Sequence, residues 1–180
     1  MTKIAVFVGS LRKDSFNMKL AKDLEARAPE GVEFAYADID LPLFNEDVEA
    51  ADFPAKARAL KDLVEGADGV LFVTPEYNRS VPGVLKNAID WASRPWGTNS
   101  FKGKPMGVVG ASLNVAGTAA AQMHLRSIAS FLEMKQLGQP EVYIPIAEDT
   151  FDETGAFSER WAKNLQGYVD ALTAWVEAEK

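Results

Sequence analysis

Apolar residues fall along this chain in two distinct patterns. Ile4-Ala5-Val6-Phe7-Val8, Val70-Leu71-Phe72-Val73 and Met106-Gly107-Val108-Val109 are continuous runs, not alternations. A strand covered on both faces needs apolar side chains at every position, so these runs predict buried parallel strands. Glu33 to Asp38 and Val142 to Ile144 predict two weaker strands. The intervening segments have helical spacing. Leu20, Leu24 and Ala28 form one stripe, and Leu60, Leu63, Val64 and Ala67 a second. Leu85, Ala88, Ile89 and Ala92 form a third; Leu125, Ile128 and Leu132 a fourth. The clearest runs through Trp161, Leu165, Tyr168, Leu172, Trp175 and Val176, with Ser158 as a candidate N-cap and Glu159 in the first turn.

Strand then helix, five times over, describes βαβ units and an α/β three-layer sandwich. Right-handed crossovers leave few windings for a five-stranded parallel sheet, and the order 2-1-3-4-5 is expected at this length. Such a sheet takes its ligands at the carboxyl ends of its strands. Two connections are long, Leu41 to Pro54 and Ser93 to Pro105, and long loops in compact domains are more often functional than idle.

Composition narrows the classes. The 180 residues suit one domain spanning 1–180, and 47% hydrophobic with 25% charged residues excludes disorder as the main state. A net charge of −7 argues against nucleic acid or an anionic membrane surface as partner. The absence of cysteine excludes disulfides, thiolate metal sites and thiol nucleophiles, and suits a cytoplasmic setting. No targeting segment is expected, and no apolar stretch approaches the roughly 20 residues a bilayer requires.

The candidate chemistry lies where the strands end. The first strand runs into Gly9-Ser10-Leu11-Arg12-Lys13-Asp14-Ser15-Phe16-Asn17, a polar loop opening a helix. Unpaired N–H groups and a partial positive charge make such an end an anion site. Ser10, Ser15 and Asn17 add side-chain donors and Arg12 adds a fork of them. At about 1.5–3 kcal/mol for each charge-assisted bond, the set could hold a phosphate monoester. The plainer reading is that Ser15 or Asn17 only caps the helix. Neither a P-loop nor a G-x-G-x-x-G dinucleotide fingerprint occurs here. The third strand leads into Thr74-Pro75-Glu76-Tyr77-Asn78-Arg79-Ser80-Val81-Pro82-Gly83, stiffened by two prolines and able to offer backbone groups and a Tyr77 ring to a flat heterocycle. The fourth ends in Gly110-Ala111-Ser112-Leu113-Asn114, followed by Val115-Ala116-Gly117-Thr118. Three such turns converge at the switch point of the sheet.

These motifs carry a resemblance. G-S-L-R-x-x-S-x-N, then P-E-Y-N-x-S-x-P-G-x-L-K-N-A-I-D-W, then A-Q-x-H-L-R, together resemble the NAD(P)H-dependent FMN reductase family, which includes bacterial quinone, chromate and ferric reductases. The resemblance implies a flavodoxin-like fold, an FMN cofactor, NADPH or NADH as reductant, and a homodimer or dimer of dimers. It places Ser10, Arg12, Ser15, Phe16 and Asn17 on the FMN phosphate and ribityl end, Pro75, Glu76, Tyr77 and Asn78 on the isoalloxazine, and Ser112 in the third flavin loop. Arg79, Ser80, Phe44 and Asn45 are placed at the mouth for substrate and NAD(P)H, the Leu41–Asn45 stretch lying in the family beside the partner subunit's flavin. It further implies ping-pong hydride transfer through flavin N5 to quinones or to chromate, ferric chelates and azo compounds, with no protein group acting as acid or base. One stretch departs from the family: Asn114, Thr118 and Ala120 stand where two glycines and an arginine are usual.

Other readings remain open at this level. A flavodoxin-type one-electron carrier shares the fold without a nicotinamide site. A receiver-type signalling domain would want an acidic pair after the first strand, where Gly9-Ser10 stand. A hydrolase on Ser10 or Ser112 lacks a nucleophile elbow. His124 reads as a packing or interface residue, and the acids from Asp38 to Glu49 as a solvated loop without a metal. Arg79, Lys86, Arg94, Lys102 and Lys104 against Asp90 sum to +4 locally, so some of them are expected at the mouth or on a solvated face. Ala119, Met123, Phe131 and Met134, with Trp91, Trp96 and Tyr77, suggest more apolar surface than one core uses, hence a homodimer.

Overall fold

A computed structural model describes residues 1–180. Five parallel positions form the sheet. β1 (Thr2–Val8), β2 (Val32–Tyr36), β3 (Gly69–Val73) and β4 (Pro105–Ser112) are continuous strands, and the edge position is shared by β5 (Lys135–Gln136) and β6 (Tyr143–Pro145). The order is β2-β1-β3-β4-β5, as expected, with β6 pairing further along β4. The fifth strand is therefore split, where the sequence suggested only Val142 to Ile144. Residues 137–142 leave the sheet and are tied to a neighbouring helix: Arg126 donates to the Leu137 carbonyl at 2.8 Å and Gln122 to that of Val142 at 2.9 Å.

The continuous apolar runs are explained by burial on both faces. Ile4, Val6, Val8, Leu71, Val73, Val109 and Ala111 face α1 (Phe16–Arg27) and α6 (Glu159–Glu179). Ala5, Phe7, Val70, Phe72, Met106 and Val108 face α3 (Ala55–Glu65), α4 (Gly83–Ala92) and α5 (Ala119–Phe131). At roughly 25 cal/mol per Å² of apolar surface, these two layers supply the main drive to fold. Ser158 does precede α6, but its hydroxyl donates to the Asp149 carbonyl at 2.7 Å and makes no cap bond.

Both long connections are anchored. In residues 41–54 a short helix, α2 (Glu46–Ala51), starts where the Asn45 side-chain Oδ1 accepts the Asp47 N–H at 2.8 Å. Asn87, Trp91 and Arg94 grip this segment along α4: Asn87 accepts from the Phe44 N–H at 2.8 Å, Trp91 donates to the Pro42 carbonyl at 2.8 Å, and Arg94 pairs with Glu46 and Glu49. Residues 93–104 fold around the Lys61 ammonium, which donates to Ala92 O, Thr98 O and Ser100 Oγ. Trp91 and Met134 are thereby core residues and cannot belong to a partner surface; Met123, Phe131, Trp96 and Tyr77 are exposed.

Candidate active site

Register brings the three functional loops level. Val8 pairs with Val73 and Val73 with Val109, and the ladder ends with Gly9 N–H to Val73 O and Thr74 N–H to Val109 O, each 2.9 Å. Pro75 has no N–H to continue it. The backbone of Ala111 thus runs past the end of β3. Asn17 from α1 fills the gap: its Nδ2 donates to Ala111 O and its Oδ1 accepts from Ala111 N–H, both at 2.9 Å. A side-chain amide replaces the missing strand residue. Gly110 is required for the loops to approach: a Cβ there would lie 2.0 Å from the Thr74 carbonyl oxygen and 2.7 Å from Thr118 Oγ1.

The cleft between the loops encloses about 180 Å³ and is lined by Ser10, Arg12, Ser15, Phe16, Asn17, Pro75, Glu76, Tyr77, Ser112, Ala111 and Leu113. The first nine are the expected cofactor residues other than Asn78, which sits in the adjoining turn. Ala111 and Leu113 escaped the sequence reading. Ala111 contributes through backbone position alone, whereas the exposed Leu113 beside Ser112 was visible as an apolar residue in a polar turn.

One end of the cleft is built for an anion. Ser15 caps α1, accepting from the Met18 N–H at 3.2 Å, and keeps its own hydroxyl hydrogen to donate. The N–H groups of Phe16 and Asn17, in the first turn, have no partner within the chain. Arg12 is exposed and forms no ion pair, and its N–H donates to Ser10 Oγ at 3.3 Å. Capping and ligand binding are compatible here. Asn17 differs from the expectation of a free side-chain donor: its oxygen and one amide hydrogen are committed to Ala111, leaving one hydrogen and the backbone N–H.

The other end offers an unused hydrogen-bond acceptor. Glu76 Oε2 accepts the Ala121 N–H at 3.1 Å and so caps α5 from another loop, while its Oε1 is buried without any donor. A carboxylate oxygen in that state calls for an N–H or O–H from a ligand. Tyr77 and Ser80 exchange backbone hydrogen bonds of 3.1 and 3.0 Å across Asn78 and Arg79, whose φ angles are 50° and 62°. This is a two-residue hairpin with both central residues left-handed, a geometry costing about 1–2 kcal/mol at a non-glycine position such as Arg79. The third loop turns at a glycine, not at Asn114. Asn114 has an ordinary φ and accepts from the Ala116 N–H at 3.1 Å, and the left-handed residue is Gly117, with φ 58°.

The four expected mouth residues are not in this chain's cleft. Phe44 lies edge-on to Trp91, ring centroids 4.9 Å apart, and Asn45 caps α2. Ser80 lines a separate groove with His124, between α4 and α5. Arg79 is exposed on the hairpin without an ion pair. The expected cation cluster is largely neutralised: Lys86 pairs with Asp90, Arg94 with Glu46 and Glu49, Lys102 with Glu133, and Lys104 donates to the carbonyls of Glu65 and Ala67. His124 is exposed and not a packing residue; its Nδ1 is 2.9 Å from Ser80 Oγ.

Known proteins match this chain over its whole length. The family model of NADPH-dependent FMN reductase matches residues 2–149. A 2-hydroxy-1,4-benzoquinone reductase of a Burkholderia species is 51% identical over 97% of this chain and 96% of its own length. A quinone reductase of Pseudomonas putida is 43% identical over 98% and 96%. Among solved structures, the flavoenzyme FerB of Paracoccus denitrificans, an NAD(P)H:(acceptor) oxidoreductase, superposes with a TM-score of 0.92 at 46% identity, covering 99% of each chain. With the family model matched over residues 2–149 and relatives 51% and 43% identical over nearly the full length, the chain belongs to the NADPH-dependent FMN reductase family.

Proposed function

We propose that this protein is an FMN-dependent NAD(P)H:quinone oxidoreductase, and that the cleft lined by Ser10, Arg12, Ser15, Glu76, Tyr77 and Ser112 holds the FMN. The observation that carries the reading is the cleft's polarity: free helix N–H groups and unpaired Arg12 at one end, a donor-seeking carboxylate oxygen at the other. FMN has the matching termini, a phosphate dianion and a ring system bearing an imide N–H. Ser10, Arg12, Ser15 and the Phe16 and Asn17 amides bind the phosphate end. Glu76 Oε1 accepts from the ring, Pro75 fixes the loop against it, and the Asn78–Arg79 turn offers backbone groups at its edge. Bound there, FMN would supply the redox chemistry, taking two electrons as hydride from NAD(P)H and passing them to an acceptor.

Reductant and acceptor use one opening in turn, which makes the kinetics ping-pong. For a quinone the balance is NAD(P)H, quinone and a proton to NAD(P)⁺ and hydroquinone. Quinone as acceptor is favoured by the 51%-identical benzoquinone reductase; chromate, ferric chelates and azo compounds are the alternative acceptors. Homodimeric assembly is part of this reading: Phe44 and Asn45, held along α4 within one chain, would line the opening of a second copy.

The test is spectroscopic. Protein loaded with FMN is titrated anaerobically with NADPH and, separately, NADH, then mixed with a benzoquinone. Bleaching of the flavin band followed by its return on adding quinone is the expected result. Protein that takes up no FMN refutes the reading. Arg12→Ala weakens FMN binding about 10- to 100-fold, the equivalent of one charge-assisted phosphate contact. Because the Arg12 side chain is exposed and makes no hydrogen bond or ion pair within the chain, thermal stability of the FMN-free protein is expected to stay unchanged.

A further inference from the structure

The strained turn at Asn78 and Arg79 holds its shape only if its surroundings over-determine it. The clamps are visible. Pro75 and Pro82 limit the loop at both ends, and two contacts fasten its legs to α5: Glu76 Oε2 accepts the Ala121 N–H at 3.1 Å, and Ser80 Oγ meets His124 Nδ1 at 2.9 Å. Ala121 and His124 are three residues apart, hence neighbours on one helical face. The helix thus grips the hairpin at two points one turn apart. The Glu76 contact belongs to the cleft itself; the Ser80 contact lies outside it, in the groove between α4 and α5. Lys86, in the same groove, is engaged by Asp90 at 2.8 Å, and the other lining residues, Val81, Ser127 and Ile128, bear no charge.

We propose that His124 is a positioning residue for the flavin hairpin. Its ring fixes Ser80, and Ser80 fixes the left-handed pair whose backbone faces the cofactor. This rests on the reading that the cleft holds FMN, but the first link of the chain, His124 to hairpin, stands without it. Asn at position 124 retains a polar atom close to the place of Nδ1; Ala does not. Removing the contact frees Asn78 and Arg79 to revert toward right-handed conformations, which reorients the peptide groups of the turn.

Two measurements separate the links. In FMN-free protein, amide hydrogen exchange at Tyr77 and Ser80 is expected to speed up about fivefold in His124→Ala, the loss of one ordinary hydrogen bond. It is expected to return to the original rate in His124→Asn, and to rise no further in His124→Ala combined with Ser80→Ala. Unchanged exchange in His124→Ala, or additive effects in the double variant, overturns the proposal. In loaded protein, reduced FMN is expected to lose about threefold more affinity than oxidised FMN in His124→Ala, a fall of about 15 mV in the two-electron potential. Looser exchange with an unmoved potential refutes the link from hairpin to flavin. Failure of unmodified protein to bind FMN refutes the functional reading alone, and leaves the exchange result to decide the role of His124.

Discussion

Replacing Asn17 by Ala tests whether a side chain really stands in for a strand. Asn17 is 3% exposed and its partner Ala111 1%, so neither of the freed backbone groups finds water easily. Two hydrogen bonds vanish, each contributing about 1 kcal/mol net, and a buried N–H and C=O lose their partners, at about 1–3 kcal/mol apiece when fully orphaned. Partial relaxation of the cleft wall brings the expected loss to about 2–4 kcal/mol, a large share of the 5–15 kcal/mol typical of a folded domain. With a urea slope of about 2 kcal/mol per molar, the midpoint falls by about 1–2 M. The measurement uses FMN-free protein, because a bound ligand would add its own stabilisation. Asn17→Asp sharpens the test. Its carboxylate still accepts from Ala111 N–H but opposes the Ala111 carbonyl with a second oxygen. Protonation supplies a donor in place of Nδ2, and burial opposite a carbonyl raises the folded pKa above the unfolded value of about 4, so Asn17→Asp is expected to recover relative to unmodified protein as pH falls toward about 4 and to gain nothing further below it. A loss under about 0.5 kcal/mol in Asn17→Ala, the range of an idle surface change, refutes the reasoning.

Gly110→Ala sets a Cβ against the Thr74 carbonyl, 2.0 Å away, and the backbone has to move. The expected destabilisation is about 1–3 kcal/mol, or roughly 2–12 °C in the melting temperature, and adding Thr118→Ala does not restore it because the carbonyl remains. The Arg94 guanidinium, bonded at 2.8 and 3.1 Å, holds the Glu49 carboxyl below its ordinary value of 4.5. A depressed folded pKa means that the pair's stabilisation is present above the unfolded value and is lost as pH falls through the folded one. Acid titration below pH 4.5 is therefore expected to weaken the Arg94 anchor of residues 41–54 while the Asn87 and Trp91 bonds remain, and in Arg94→Ala the stability curve is flatter over that interval; a curve of unchanged slope refutes it.

The fold was readable where one run of residues carries the whole cause. Ile4 to Val8 is apolar throughout because α1 and α6 cover one face and α3 and α4 the other. The split fifth strand was not readable, since Lys135 and Gln136 show no apolar run and the excursion after them is held by Gln122 and Arg126 of α5. Helix α2 has no buried residue to make a stripe. Its start was nonetheless available from Asn45 before three acids in the first turn, the pattern that favours a helix N-terminus.

At the site, residue types were legible and partners were not. The loop after β1 announces an anion site because helix geometry forces free N–H groups wherever a helix begins. Nothing local says that Asn17 is engaged by a backbone 94 residues away, or that Arg94 has carboxylates waiting on α2. Counting cations over 79–104 therefore overstated the free positive charge, although Lys86 and Asp90, four apart on one helix, could have been paired in advance. The same reasoning explains His124. A histidine between Met123 and Leu125 reads as a packing or interface residue until a hairpin from another loop is seen to end beside it. Parallel topology makes this unavoidable: consecutive strand ends converge only after crossovers of dozens of residues, so the contacts that align them are always distant in sequence.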